Sequence, residues 1–359
     1  MRWRTLLPAA LTALAITACG VSVGASASAA GPSASAASAS ASDSAHSANS
    51  SILLYNGQHP QLTQAMVSAF KRKTGISVSL RSNDGVVLAD QLAQEGHDSP
   101  ADAYLTENSP ELVHLSQLGL LARLPGSVLR QVPKRYRSPQ GNWVGVALRV
   151  SCLVYNSKLI SRSQLPASIL GLAAPKWKGK VAVAPLDSDF PPVVGAVIAT
   201  HGEKAAARWV DALKQNAAVY QDDEGVVAAV NAGSAPVGII NQYYWYRLRL
   251  EVGAKRMHSA LYFFPHGDPG SVVNISGAAV LASSKHRADA ERFVAFLVSR
   301  KAQELIRSGD DFEYPARPGV AQNAQEPPLS QIAHTSISAL ALGNDLRATQ
   351  LIAGAGFGA

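Results

Sequence analysis

The sequence predicts an α/β protein with two lobes, a ligand cleft between them and a hinge of two crossing strands. Short apolar runs alternate with segments of helical spacing from residue 51 onward, and repeated βαβ units form parallel sheets. After Arg149, a strand over residues 153–156 is predicted to cross into the second lobe, and runs at 263–265 and 278–281 are predicted to return. Two lobes joined by two strands can close over a ligand by bending at the hinge.

The first lobe is predicted from alternating strands and helices. Met66, Val67 and Phe70 lie at helical spacing in a segment that Gly75 ends. Asn83 or Asp84 is a suitable N-cap for the next helix, and a proline at position 110 suits the first turn of a third. The predicted strands of this lobe are 52–55, 76–80 and 102–106, and each is followed by a helix, at 61–73, at 85–94 and from Ser109.

Three strand ends of this lobe are predicted to face one crevice. Ligands of parallel sheets bind beyond the carboxyl ends of the strands. The segments that follow the three predicted strands are 56–59, 82–85 and 107–109. They are therefore the candidate wall of a binding site.

The second lobe is predicted to repeat the alternation and to end one strand at a pair of tyrosines. The strand at 237–241 places Tyr243 and Tyr244 at its carboxyl end, where a ligand would lie. The other predicted elements are strands at 153–156 and 181–184 and helices from about Pro192, at 203–214 and at 225–232.

The first residues are typical of an export signal. Arg2 and Arg4 precede an apolar run over residues 6–16, which is too short to span a membrane and leads through small residues to Cys19. One interpretation is the lipobox of a bacterial lipoprotein, in which Cys19 is acylated; the alternative is an ordinary secretory signal with an incidental cysteine. Two acyl chains would anchor the protein stably, whereas one would not. We expect residues 1–19 to form a lipoprotein signal ending at the lipidated cysteine.

The next segment, residues 20–50, is predicted to be a flexible tether. It consists mostly of Ala, Ser and Gly, with Asp43 as its only acidic residue and no Lys or Arg. Such a composition cannot bury enough apolar surface to fold. The remainder is long enough for two lobes. We assign residues 51–150 and 262–359, with C-terminal helices, to the first lobe and residues 151–261 to the second.

Charge and cysteine content exclude some partners and bonds. The formal charge is 32 − 25 = +7, and it falls to +5 once Arg2 and Arg4 leave with the signal. The basic residues are scattered and an exported chain seldom meets nucleic acid, so no nucleic-acid partner is expected. If Cys19 carries lipid, Cys152 has no disulfide partner, and its strand-like surroundings favour a buried, inert thiol. We expect a monomer.

The adjacent tyrosines Tyr243 and Tyr244 are candidate ligands of a hard trivalent cation. A free phenol titrates near pH ~10, so it coordinates at neutral pH only where a highly charged cation displaces its proton. Ferric iron is the cation that these properties favour. The alternative is that this aromatic stretch belongs to the core or to an interfacial strand end.

Several motifs resemble, in order and spacing, the ferric-ion-binding proteins of bacterial ABC uptake systems. The resemblance covers residue 51 to about residue 354 and implies the type II periplasmic-binding fold. Its strength lies in the joint order of the motifs, because no single one is decisive. The motifs are Tyr55-Asn56-Gly57-Gln58-His59, Ser99-Pro100-Ala101-Asp102 leading to Glu107, Trp143-Val144-Gly145-Val146 before Arg149, Tyr155-Asn156, Asn241-Gln242-Tyr243-Tyr244-Trp245, Gly267-Asp268-Pro269-Gly270, the apolar run after Asn274, and Glu313-Tyr314-Pro315.

The resemblance implies four metal ligands, which are His59, Glu107, Tyr243 and Tyr244. Two phenolates and one carboxylate would neutralise a 3+ ion that is otherwise costly to bury, and the imidazole would add a neutral nitrogen. Each residue alone allows another role. His59 precedes Pro60 and suits a turn, and Glu107 lies before a helix and suits its dipole. The convergence of separate strand ends on one cleft favours the ligand hypothesis.

The chain departs from this family where members commonly bind phosphate or carbonate beside the iron. They use a Ser/Gly-rich helix N-terminus and polar amides, whereas the matching stretches here are Leu186-Asp187-Ser188-Asp189-Phe190-Pro191-Pro192 and Gln221-Asp222-Asp223-Glu224. Carboxylates there repel an anion and can occupy the helix N-termini, or they cap two helices and face water. The synergistic anion is therefore doubtful. The residues that could contact an anion or support the ligands are Asn241, Ser188, Asp187, Asp189, Asp222, Asp223 and Arg149.

The resemblance implies an extracytoplasmic receptor that captures Fe³⁺ and delivers it to the permease of an ABC importer. With the lipid anchor, its expected location is the outer face of the cytoplasmic membrane. The alternative is a binding protein of the same fold for another cation or small molecule, such as a polyamine, a phosphonate or another metal. No enzyme is expected, because the sequence has no Gly-x-Ser-x-Gly, His-Glu-x-x-His or phosphate-loop motif.

Overall fold

The computed structural model of the protein describes residues 50–265, 267–332 and 337–357. These residues all belong to a compact unit that begins at Ser47. The predicted signal with Cys19, and the predicted tether up to residue 49, lie outside the described residues. In the part of the chain that is described, no helix is long and apolar enough to cross a membrane.

The described strands form one mixed sheet that extends through both lobes. They are β1 (Ser51–Gly57), β2 (Ser77–Ser82), β3 (Ala103–Thr106), β4 (Trp143–Asn156), β5 (Val181–Val183), β6 (Ala217–Val219), β7 (Val237–Asn241), β8 (Ser259–Tyr262), β9 (Val273–Val280) and β10 (Tyr314–Pro315). Their order is β2-β1-β3-β9-β4-β7-β5-β6, with β8 and β10 both paired to β4. The pairs β1–β2, β1–β3, β5–β6 and β5–β7 are parallel, as the βαβ alternation predicts.

Helices connect these strands and cover the sheet. The first helix shows why they form: Pro60 suits its first turn, Gly75 ends it with a φ of 80°, and Met66 and Phe70 are buried. The helices are α1 (Pro60–Thr74), α2 (Gly85–Glu95), α3 (Ser109–Gln117), α4 (Gly126–Leu129), α5 (Pro191–His201), α6 (Glu203–Asn216), α7 (Asp223–Ala232), α8 (Gln242–Val252), α9 (Arg287–Leu297), α10 (Arg300–Ser308), α11 (Leu329–Ile332), α12 (Ala339–Leu342) and α13 (Leu346–Gly354).

Strand β4 crosses from the first lobe to the second. Its residues 143–150 pair with β9, and its residues 151–155 pair with β7. The return runs through β9, so the predicted return at 263–265 is wrong. The turn over Pro269–Ser271 separates that segment from the strand, and pairing with β4 resumes only at Val273.

Buried apolar side chains form one core in the first lobe and two clusters in the second. Leu342, Ile352 and Phe357 lie in a second-lobe cluster, so the carboxyl-terminal helices α12 and α13 contact α5 rather than belonging only to the first lobe, as the sequence analysis assigned them. All three clusters consist of residues 52–357, which therefore contain their own core.

Two glycines allow the strand ends of the first lobe to meet. A Cβ at Gly57 would lie 2.6 Å from the Cα of Gly85, and a Cβ at Gly85 would lie 2.5 Å from Thr106 Oγ1. The start of α2 therefore packs directly against the ends of β1 and β3. The predicted N-cap of α2 is Asp84, whose side chain accepts hydrogen bonds from the amides of Val86 and Val87.

Candidate metal centre

The four predicted ligands lie at the carboxyl ends of three strands. His59 follows β1 directly before α1, and Glu107 follows β3. Tyr243 and Tyr244 occupy the first turn of α8, which begins directly after β7. The parallel strands β1 and β3 end at one edge of the first lobe, and β7, which runs antiparallel to them in the second lobe, brings the tyrosines to the same cleft from the opposite side.

Side chains from the first lobe meet the tyrosine pair from the second. His59 Nδ1 lies 3.0 Å from Glu107 Oε1, and the centroid of the His59 ring lies 5.1 Å from that of Tyr243. The centroids of the Tyr243 and Tyr244 rings are 4.0 Å apart. Both tyrosines are buried, and His59 is only 9% exposed. The four residues therefore form one buried cluster between the lobes.

This cluster is not a cage of carboxylates and imidazoles. Within the described residues, no group of three or more His, Cys, Asp and Glu side chains could hold a metal ion. A metal bound at this cluster would therefore depend on the two tyrosine oxygens. Anionic oxygen ligands suit hard, highly charged cations.

A fully buried arginine connects the cluster to carboxylates of both lobes. Arg149 NH1 donates to Glu313 Oε1 at 3.0 Å, and NH2 donates to Glu107 Oε2 at 3.4 Å. Its Nε lies 3.5 Å from Asp189 Oδ1, and its guanidinium lies 5.6 Å from the centroid of the Tyr243 ring. Because Arg149 lies on β4 where that strand crosses between the lobes, it joins the two walls of the cleft at the hinge.

Burial and neighbouring charges set the protonation of the ligands. Burial lowers the pKa of His59, but the carboxylates of Glu107 and Glu313 more than offset this effect and raise it to about 9. Burial raises the pKa of Glu107 to about 7, against the opposing charges of His59 and Arg149. Burial, followed by the charge of Asp189, raises the pKa of both Tyr243 and Tyr244 well above the ordinary value. A cation that binds the tyrosines must therefore displace their protons.

Asp189 lies where the two lobes touch. Its Oδ2 accepts a hydrogen bond from the Tyr243 hydroxyl at 3.1 Å, and its Oδ1 accepts one from Asn108 Nδ2 at 3.2 Å. Burial acts to raise the pKa of Asp189, but the Arg149 guanidinium and these donors hold it below the ordinary value. A charged carboxylate is therefore held beside the candidate ligands.

Of the other predicted acids of the second lobe, Asp222 and Asp187 are half-buried and Asp223 is buried. Asp222 caps α7 by accepting a hydrogen bond from the amide of Gly225 at 2.8 Å. Asp187 accepts hydrogen bonds from the amides of Asp189 and Asp223, both at 3.1 Å, and Asp223 is 4% exposed. Burial raises the pKa of Asp187 to about 7 and that of Asp223 well above the ordinary value. The alternative role of these acids, capping a helix at the surface, therefore fits Asp222 but not the buried Asp223.

The helix N-terminus near these acids has few donors for an anion. Helix α5 begins with Pro191 and Pro192, neither of which has an N–H group. The Ser188 carbonyl accepts a hydrogen bond from Asn108 Nδ2 at 3.1 Å. Asn241 Oδ1 accepts hydrogen bonds from Ser151 Oγ and Asn274 Nδ2, whereas Asn241 Nδ2 is buried without a hydrogen-bond partner among the described residues.

An open cleft leads to the cluster. It has a volume of about 320 Å³ and is lined by residues from both lobes. The three strand ends predicted to form its wall all contribute. Its lining consists of residues 56–60, residues 82–85, Glu107 and Ser188.

Comparison with known proteins identifies the family. The chain matches the family described as bacterial extracellular solute-binding protein over residues 60–335. It therefore belongs to that family. It is 40% identical over 310 residues to an Fe(3+)-binding periplasmic protein of Serratia marcescens, which covers 86% of this chain and 91% of that protein.

Solved structures confirm the fold of this solute-binding protein. The structure of iron-bound HitA from Pseudomonas aeruginosa matches with a TM-score of 0.82 at 37% identity, over 86% of this chain and 99% of that one. A Trichodesmium protein (IdiA, FutA) in complex with iron and citrate matches with a TM-score of 0.73 at 28% identity, again over 86% and 99% of the two chains. The predicted resemblance to ferric-ion-binding proteins and the predicted two-lobed type II fold are both confirmed.

The sequence analysis missed partners of the ligands in this solute-binding protein. Glu313 is fully buried, lies 3.5 Å from His59 Nδ1 and accepts hydrogen bonds from Arg149 and Gln58. Asn108 contacts the second lobe through Asp189. Glu313 belongs to the motif Glu313-Tyr314-Pro315, on which the family resemblance partly rests. The acidic residue in this motif, next to two residues without charge, could have indicated a role at the site.

Proposed function

We propose that this protein captures ferric iron between its lobes and delivers it to the permease of an ABC importer. The observation that carries the proposal is the meeting of Tyr243 and Tyr244 from the second lobe with His59 and Glu107 from the first. The relatives named as iron-binding proteins support the same ligand. The protein acts by binding and release and catalyses no reaction.

Charge balance favours a trivalent ion at this cluster. On ionisation, Tyr243, Tyr244 and Glu107 supply three negative charges, which neutralise Fe³⁺ in a site where unpaired charge is costly. His59 adds a neutral nitrogen once its proton has left. A divalent ion would leave a net negative charge beside the buried carboxylates of Glu313 and Asp189. The site therefore favours Fe³⁺ over divalent metals.

Asp189 replaces an exogenous anion in this proposal. Its carboxylate already accepts the hydrogen bond of the Tyr243 hydroxyl and lies 3.5 Å from Arg149 Nε. When iron displaces the tyrosine proton, Asp189 or a water molecule can complete the coordination. Asp187 accepts hydrogen bonds from the amides of Asp189 and Asp223, so these two donors are already used and are not free for a phosphate or carbonate ion.

The decisive experiment is an iron titration of single tyrosine variants against a competing chelator. Tyr243→Phe and Tyr244→Phe each remove one anionic ligand and little volume, so both should fold, lose the tyrosinate-to-iron colour and bind iron more than about 100-fold more weakly. That loss exceeds the 10–100-fold cost typical of an outer partner. Glu107→Gln should weaken binding less, because a neutral oxygen donor remains.

Tyr246→Phe is the matched control for these variants. Tyr246 lies on the same helix and is buried against Phe312, with ring centroids 5.4 Å apart, away from the candidate ligands. It should retain both colour and affinity. Retention of iron by the Tyr243 and Tyr244 variants at the level of the wild type would refute the assignment and favour a different ligand for the cleft.

We also propose that the protein is a lipoprotein, held at the outer face of the cytoplasmic membrane by an acylated Cys19 after a cleaved signal peptide. The small residues before Cys19 support this assignment. Cys19→Ser should make the protein extractable from the membrane fraction by a high-salt wash that the acylated wild type resists, because the Ala/Ser-rich segment offers no other hydrophobic anchor. Equal resistance of the variant and the wild type to this wash would contradict the lipid anchor.

A further inference from the structure

The first lobe carries a cluster of cations with no acidic partner. No Asp or Glu occurs in the sequence between Glu111 and Asp187, and the part of this stretch in the first lobe is rich in Lys and Arg. Apart from the fully buried Arg149, the Lys and Arg residues of this part are Arg123, Arg130, Lys134, Arg135 and Arg137, which we call the basic face. All of them are exposed except Arg137, which is half-buried.

The local structure holds the basic face together. The amide of Leu124 donates to the carbonyl of Gly141 at 2.8 Å. This hydrogen bond holds together the two ends of the segment that carries the five cations. Arg123 lies against Gly141, and Arg137 NH1 donates to the carbonyl of Leu129. Arg135 lies over the ring of the buried Tyr136, 4.6 Å from its centroid. The cations therefore share one surface instead of spreading around the lobe.

Several exposed arginines elsewhere in the protein are paired with a carboxylate. Arg81, Arg292 and Arg300, for example, each lie within 4.0 Å of a carboxylate oxygen. Across the described parts of the chain, none of the five cations of the basic face has such a partner. Their field is therefore not neutralised locally and is available to an anionic partner.

The chain enters the domain beside this face. Ser50, the first described residue, donates from its hydroxyl to Asp289 at the start of α9. In the first turn of the same helix, Arg287 NH2 donates to the carbonyl of Arg123 at 3.0 Å. The segment that links the domain to Cys19 is therefore attached within one helical turn of the basic face.

We propose that the basic face docks the first lobe onto the anionic lipid surface of the membrane that anchors the protein. The choice of a bilayer as the partner follows from the position of Ser50, because a tether attached beside the basic face keeps that face within reach of the membrane. Each basic side chain near an anionic surface strengthens attraction by about 1 kcal/mol, or roughly fivefold in partition coefficient. This nearness rests on the proposed anchor at Cys19, whereas the charge-driven binding does not.

The test measures binding of a chain that begins at Ser47 to lipid vesicles. This chain lacks the anchor and retains all three apolar cores. It should sediment with vesicles of phosphatidylglycerol and phosphatidylcholine at physiological salt and dissociate from them at high salt. It should not bind vesicles of pure phosphatidylcholine. Lack of binding to the anionic vesicles would overturn the proposal, and this outcome is independent of the Cys19→Ser experiment.

Matched charge variants separate the basic face from net charge. The triple variant Arg130→Gln, Lys134→Gln and Arg135→Gln should lower the partition coefficient roughly 100-fold, from three factors of about five. The control carries Lys176→Gln, Lys178→Gln and Lys180→Gln, which remove the same charge from exposed positions of the second lobe. It should change the partition coefficient less than about threefold.

Two results would overturn the assignment of a lipid partner. An equal loss in both triple variants would mean that net charge, rather than the basic face, attracts the vesicles. Equally tight binding to soluble polyphosphate, at the same phosphate concentration, would assign the basic face to an anionic polymer rather than a bilayer. Iron titration of both variants should match the wild type, which verifies their fold.

Discussion

The two walls of the cleft both place their candidate ligands at the carboxyl ends of strands, but the ligands differ in charge: those of the first wall are ionised and those of the second are neutral. In the first-lobe wall, His59 and Glu107 already form an ion pair, and Arg149 and Glu313 surround them with further charge. In the second-lobe wall, Tyr243 and Tyr244 are protonated phenols, because burial and the nearby aspartates raise their pKa values. The first wall therefore carries charged side chains before a metal binds. The tyrosines of the second wall become anionic ligands only when the metal displaces their protons.

This difference assigns distinct roles to the buried charges behind each wall. Arg149 stabilises charges that exist without a metal, so its loss should affect folding first. Asp223, behind the tyrosines, has a pKa that burial raises, so its ionisation opposes folding and its replacement by a neutral residue should stabilise the iron-free protein. The comparison can therefore be tested by changing one residue behind each wall.

Arg149→Met should produce the largest effect on stability. It leaves the carboxylates of Glu313 and Asp189 buried without their cation, and removal of one partner from a buried ion pair costs about 3–5 kcal/mol. The measurement is urea unfolding of the iron-free protein. Arg347→Met, which breaks the exposed contact with Glu203, is the control and should leave the free energy of unfolding close to that of the wild type. Equal costs for the two variants would show that Arg149 does not support the first wall.

Asp223→Asn should have a smaller effect of opposite sign. Burial raises the pKa of Asp223 in the folded state, so ionisation opposes folding: the carboxyl contributes its full stability below the unfolded pKa near ~4 and loses it as the pH rises. The amide side chain still offers an oxygen to the amide of Asn241, which donates to Asp223 Oδ2 at 3.2 Å. The variant should be more stable than the wild type at pH 7 by about 1 kcal/mol or more, and this advantage should vanish near pH 4.

Urea unfolding of iron-free protein at both pH values measures this prediction. Asp222→Asn is the matched control, because Asp222 is the neighbouring N-cap and asparagine caps a helix about as well as aspartate. Its stability should differ from the wild type by only a few tenths of a kcal/mol at either pH. The same pH-dependent gain in both variants would mean that burial of Asp223 is not its cause.

The sequence was sufficient to predict the ligand positions because each depends on a local feature. His59, Glu107 and the tyrosine pair follow strands that apolar runs and helix starts delimit. Within each lobe, parallel strands bring such ends to one edge, and the cleft lies between the two edges. The resemblance then selected these four from other polar residues at strand ends. The predicted burial of Cys152 is confirmed for the same reason, since it lies within a strand that apolar residues surround.

The supporting charges could not be predicted in this way because they depend on pairing between distant segments. Glu313 and Arg149 are 164 residues apart in sequence, and they meet because Tyr314 pairs with Leu148. Likewise, no local pattern shows that Leu342 and Ile352 pack against the second lobe. Residue type and spacing predict which elements form, but the choice of packing partner depends on the shape of the folded surface.

The smallest expected effect is that of an added anion on iron affinity, and it tests the second wall directly. The donors available to a phosphate are few: α5 begins with two prolines, and the buried donors beside the site without a hydrogen bond among the described residues include Asn241 Nδ2 and Arg149 Nε, which lies 3.5 Å from Asp189. With the tyrosinates and Glu107 balancing Fe³⁺, an added anion would also leave the site negative. Iron titrations in anion-free buffer, in phosphate and in bicarbonate should therefore agree within about threefold, or less than about 0.7 kcal/mol. Asp189→Ala removes the resident carboxylate and should create a dependence on phosphate of about tenfold or more. A strong rise in wild-type affinity with either anion would mean that Asn241 and Arg149 receive an exogenous anion and that Asp189 does not take its place.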